Sequence, residues 1–128
     1  MSDCSCVYFY TNDFEGPSCY AQTFRKARKT HRCYECHSEI RRGDRYEEVT
    51  GVWDGRPDRF RTCLDCVSVR DAFFCDGFEY GGVWEYLHEH LRNCAHTTPT
   101  EALARLTPYA REEVCSFIEK QWAKLDDE

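Results

Sequence analysis

Ten of the 128 residues are cysteines, and four of them form two matched pairs, Cys33-Tyr34-Glu35-Cys36 and Cys63-Leu64-Asp65-Cys66. Thiolates are soft ligands, and Zn2+ takes four of them in a tetrahedron at a closed structural site. Two residues between the cysteines let one turn of backbone present both sulfurs to one ion. The stretch between the pairs, residues 37–62, has room for a hairpin that carries the second pair back to the first. Cys33, Cys36, Cys63 and Cys66 are therefore the expected ligands of one zinc ion. A thioredoxin-type dithiol needs only one such pair, and four free buried cysteines leave the matched spacing without a role. A closed four-cysteine site has no open coordination position, so it staples the fold and no catalytic residue is expected.

Other residues compete for attention. His37-Ser38-Glu39 together with the second pair imitates the zinc-deaminase signature H-x-E … P-C-x-x-C. Three features oppose that reading. Thr62 stands where the proline belongs, Ile40-Arg41-Arg42-Gly43-Asp44 turns too soon for a helix bearing His37, and Cys33 and Cys36 are left over. Cys4, Cys6 and Cys75 could hold a second zinc, with His88, Cys94 or Cys19 as the fourth ligand. His88 and His90 lie two residues apart and would point away from each other on a helix. Cys115 lies beside an apolar stripe and reads as a small core residue.

The elements that must position the four cysteines are legible around them. Tyr46 to Trp53 is β-branched and aromatic, as a strand would be. Asp54-Gly55 is a hairpin signal, and Arg59 to Thr62 is the returning strand. Val67 to Phe74 reads as a helix; if Cys63 and Cys66 enter its first turn, its dipole favours their thiolates. Further on, Val83, Trp84, Leu87 and Leu91 recur at helical spacing. Thr98-Pro99-Thr100-Glu101 and Thr107-Pro108 are helix starts. Beyond the second start, Val114, Phe117, Ile118, Trp122 and Leu125 form one stripe. Residues 1–24 show no clear period apart from alternation at Val7, Phe9 and Thr11. The expected fold is α+β, a small zinc-stabilised treble-clef or zinc-ribbon-like core with a β-hairpin and a C-terminal helical segment. Its parts are an N-terminal extension (1–24) packing on the core, the zinc-binding core (25–82) and the helical segment (83–128).

Charge is unevenly distributed. The net charge is -6, yet the stretch from Arg25 to Arg70 carries +4 and the remainder -10. The acidic remainder repels phosphate backbones at long range, which argues against duplex binding by charge alone. No run approaches the length of a membrane span. Met1 to Cys6 has neither a basic start nor an apolar run, so no secretory leader is expected there. Ten cysteines without a leader point to a reducing compartment, where they serve metals rather than disulfides.

The run Ala27-Arg28-Lys29-Thr30-His31-Arg32-Cys33-Tyr34-Glu35-Cys36, with Gly51-Val52-Trp53-Asp54-Gly55 and Phe60-Arg61-Thr62-Cys63-Leu64-Asp65-Cys66, resembles a group of small zinc-binding proteins of bacteriophages and prophages. The likeness spans roughly residues 13–92. It departs from the pattern at His37, where a glycine is usual. The resemblance implies a viral accessory protein in a bacterial cytoplasm and lends no mechanism. The function expected is a protein-interaction module whose partner is a host or phage protein, and inhibition of a host nuclease or defence complex would fit. The alternative is a nucleic-acid-binding regulator. It would use Arg25, Lys26, Arg28, Lys29 and Arg32, with Trp53 as an aromatic contact and Arg41, Arg42, Arg45, Arg56, Arg59 and Arg61 in support.

Overall fold

In the computed structural model, which describes residues 19–74, 77–94 and 100–126, Asp54 and Gly55 both adopt left-handed backbone, with φ of 53° and 76°. That is the backbone a two-residue hairpin loop of matching twist requires. It joins β4 (Arg45–Trp53) to β5 (Arg56–Cys63), which pair antiparallel from Trp53 opposite Arg56 to Tyr46 opposite Cys63. The returning strand is longer than its apolar pattern suggested, because β5 is an edge strand and tolerates Pro57 near its start. The other edge is β1 (Cys19–Lys26), paired along its length with β4. The sequence reading missed β1. Its residues from Tyr20 to Lys26 are exposed, so no buried alternation marks it, and the ladder to β4 alone defines it. A second, two-stranded sheet joins β2 (His31–Arg32) to β3 (Glu39–Ile40).

Among the described residues four helices follow: α1 (Leu64–Phe73), α2 (Val83–Cys94), α3 (Thr100–Ala104) and α4 (Pro108–Asp126). The chain is thus α+β, a hairpin sheet followed by helices. Helix α1 starts three residues earlier than its apolar residues indicated, because Cys63 takes the N-cap position and Cys66 falls in the first turn. Helix α4 starts where the sequence placed it. Pro108 opens the helix, and the Thr107 hydroxyl oxygen accepts from Ala110 N at 3.3 Å while donating to Asp65 Oδ1 at 2.6 Å. The start of α4 is thereby tied to the start of α1. The alternation at residues 7–11 and the start signal at residues 98–99 lie outside the described residues.

Two apolar clusters result. The larger joins Val69, Ala72, Phe73 and Phe74 to Val83, Leu87 and Leu91 of α2 and to Ala110, Val114 and Ile118 of α4. It crosses residue 82, so the helices and α1 share one core. The smaller gathers Ala27, Cys33, Ile40, Tyr46 and Cys66, and Trp84 packs against both clusters. The α4 stripe is shorter than its periodicity promised. Val114 and Ile118 are buried and Phe117 half-buried, but Trp122 is exposed because α4 has by then run past the core. Cys115 is half-buried rather than enclosed.

Beneath the sheet, Glu47 is fully buried and paired through both carboxylate oxygens with the buried Arg70 of α1. Arg70 also lies 4.7 Å from the centre of the Phe78 ring. Burial alone would lower the Arg70 pKa, and the Glu47 pair outweighs it and raises it. Removing one member of such a pair strands a buried charge, whereas removing both does not. Glu47→Leu alone should cost about 3–5 kcal/mol in urea denaturation. Glu47→Leu with Arg70→Met should recover most of that loss. A double variant as unstable as the single one would contradict the pairing.

Candidate metal centre

The centre is built from two backbone turns brought together by the hairpin. In the first, Cys33 N donates to Ser38 O and His37 N to Cys33 O, both at 2.9 Å, which curls residues 33–38 into a knuckle. His37 closes it with φ of 64°, a left-handed conformation that suits glycine better than an L side chain. Tyr34 N donates to Arg61 O at 2.8 Å and fastens the knuckle to β5. In the second turn β5 runs directly into α1, so Cys63 and Cys66 lie at the N-terminal end of the helix dipole. The Cys63 side chain makes no capping bond; its sulfur faces the other cysteines.

The four sulfur atoms lie within 4.8 Å of one another. Cys33 to Cys66 and Cys36 to Cys63 are 3.8 Å apart, and Cys63 to Cys66 is 3.5 Å. Ligands about 2.3 Å from a tetrahedral ion stand about 3.8 Å from each other, whereas a disulfide bond is only about 2.0 Å. The four residues thus fit one ion of that size, and tetrahedral sulfur ligation suits zinc or iron. Cys33, Cys36, Cys63 and Cys66 could hold a metal ion.

Electrostatics lead the same way. Contacts with Cys33, Cys63 and Cys66 push the Cys36 thiol far below its ordinary range. At Cys33 the Cys36 contact acts upward, but Cys63 and Cys66 bring it down to about 6. Cys33 and Cys36 push both Cys63 and Cys66 upward. Ionising some of the thiols thus holds the others neutral. Four thiolates coexist there when a cation sits among them.

Supporting groups hold the sulfurs in place. Trp84 Nε1 donates to Cys66 Sγ at 3.1 Å, and Cys63 N to Cys33 Sγ at 3.4 Å. Glu35, between the cysteines of the first pair, is buried and accepts from Gly81 N at 3.0 Å and Val83 N at 3.2 Å, capping α2 from a distance. Burial pushes its carboxyl pKa up, against these bonds. The sequence reading placed Trp84 only on a helix stripe and gave Glu35 no role. The available signal was that a buried indole N–H or carboxylate must find a partner.

The remaining expected residues are dispersed. Arg25, Lys26, Arg28 and Lys29 line a cleft with Arg59 and Arg61. Arg32 instead donates to His37 O at 2.8 Å. Trp53 packs edge-on against Phe60 and Tyr80, 5.2 and 5.9 Å between ring centres, within an aromatic stack. His37 is exposed and takes no part in the four-sulfur group. Of the expected second metal set, Cys4, Cys6 and Cys75 lie outside the described residues. His88 stacks on Phe117 at 4.3 Å, and its pKa is lowered by burial and then by Arg92. Cys19 begins β1 and Cys94 ends α2. Among the described residues no second group of metal-capable side chains comes together.

Partners that hydrogen-bond metal ligands tune affinity by about 10–100-fold. Trp84→Phe keeps the packing and removes the N–H···S bond, so it should weaken metal retention against a competing chelator by about that factor. Retention equal to the parent chain would show the indole to be packing alone. No protein-family model, no curated protein and no solved structure matches the chain, so its own geometry carries the functional reading.

Proposed function

We propose that the chain is a zinc-stapled binding module with a treble-clef core, an accessory protein of the phage or prophage kind that acts by engaging a partner protein. The observation that carries this reading is the four-sulfur cluster. It accounts for both C-x-x-C pairs and offers a bound ion no free coordination position. The order of parts supports the treble clef: a knuckle, a hairpin, then a helix that bears the second pair. Zinc is favoured because four thiolates complete its tetrahedral shell.

Exposed side chains next to the cluster support a protein partner. Leu64 and Tyr109 are 38% and 55% exposed and line one hollow beside Cys36 and Cys63. Large apolar and aromatic groups in such a hollow are typical anchors of protein interfaces. No helix among the described residues is long and apolar enough to cross a membrane.

Purified chain should contain one zinc per molecule by elemental analysis, and a strong chelator should abolish its ordered circular-dichroism signal. Leu64→Asp with Tyr109→Asp should keep the zinc and lose a protein captured from bacterial lysate by the parent chain. A folded, metal-free chain would refute the staple, and unchanged capture would refute this docking surface.

A further inference from the structure

We propose that the outer face of the three-stranded sheet binds the phosphate backbone of single-stranded nucleic acid. Arg25, Lys26, Arg28, Lys29, Arg59 and Arg61 line one cleft of about 760 Å³, with Glu48 as the only acid among its described lining residues. The charge is organised rather than scattered. Glu48 is nearly buried in the floor and draws three guanidiniums from two flanking strands, Arg25 at 2.9 Å, Arg59 at 3.4 Å and Arg61 at 3.5 Å. The strand register requires this, since Glu48 stands opposite Arg61 on β5 and Thr23 on β1. Each guanidinium that shares this carboxylate keeps further N–H donors for a ligand.

Of the other three cations, Lys26 ends β1, and Arg28 and Lys29 come from the turn after it. That turn is held in place by the buried Ala27, whose N donates to Asp44 O and whose carbonyl accepts from Gly43 N, both at 2.8 Å. Lys26, Arg28 and Lys29 are all exposed. Six cations against one carboxylate make a local surplus of five in a chain whose net charge is -6. That contrast confines a polyanion to this face.

Adjoining geometry selects a single strand. Arg59 also borders a second hollow of about 680 Å³, lined by Tyr20, Ala21, Thr50, Val52 and Pro57 with Asp58 as its one acid among the described residues. An unstacked base can rest there while its phosphates lie in the cationic cleft; a duplex keeps its bases stacked inside. Every cation of the cleft comes from the sheet or the turn after β1, so no helix is offered to a major groove. Trp53 takes no part, because it packs with Phe60 and Tyr80 on the side of the sheet that carries Glu47.

The test is fluorescence anisotropy of a short labelled oligothymidylate titrated with full-length, metal-loaded protein. Six phosphate contacts on a single strand give a salt slope of about 4, so affinity should fall about 250-fold between about 50 and 200 mM salt. Lys26→Ala/Arg28→Ala/Lys29→Ala should reduce that slope by about 2 and weaken binding more than about ten-fold at low salt. Its circular dichroism and metal content should match the parent. Arg41→Ala/Arg42→Ala, exposed cations outside the cleft, should bind as the parent does. No binding at low salt, equal affinity for a duplex of the same length, or displacement by polyglutamate or pyrophosphate at equal charge would each overturn the proposal. So would equal losses in the two sets of variants. None of these outcomes bears on zinc content or on protein capture, so the proposal fails or stands apart from the module reading.

Discussion

Four sulfur atoms drawn within 4.8 Å of one another form an arrangement that their own charges oppose. Each thiolate raises the cost of the next, and a divalent cation reverses that cost. The rest of the chain can be understood as what is needed to hold this arrangement. The Asp54-Gly55 turn sets the hairpin register, the register brings Cys63 back to the knuckle, and the first turn of α1 supplies Cys66. Trp84 and Glu35 then couple the cluster to α2, one through an N–H···S bond and the other by capping the helix start. Under the zinc reading, metal binding and the docking of the helices are one process, because the same two residues serve both.

The sheet separates two uses of charge. On one side, Glu47 and Arg70 neutralise each other in the interior, below an aromatic stack in which Phe60 lies flat on Tyr80 at 4.2 Å. On the other side, Glu48 lies nearly buried in the floor of the cleft and is outnumbered by arginines. The two glutamates are adjacent in β4 and point to opposite faces, as the strand period demands. One braces the fold, and on the proposed reading the other arranges a recognition surface.

Much of this is legible in the amino-acid sequence. The matched cysteine pairs, the Asp54-Gly55 turn and the Thr107-Pro108 start each follow from a local chemical requirement, and each is met where the sequence placed it. What escaped reading depends on partners distant in the chain. Strand β1 buries little side-chain surface of its own and exists through its pairing with β4. Trp84 satisfies a helical pattern whether or not its indole reaches a sulfur. Of the basic run 25–32 and the arginines expected to support it, Arg59 and Arg61 do line the cleft, whereas Arg32 turns away to His37. The hairpin register decides which of the supporting arginines reach it.

X-ray absorption at the zinc edge of the purified full-length chain tests the account most directly. It predicts one zinc surrounded by four sulfurs at about 2.3 Å and no nitrogen or oxygen in the inner shell. A shell containing nitrogen or oxygen, or a folded chain without zinc, would contradict it.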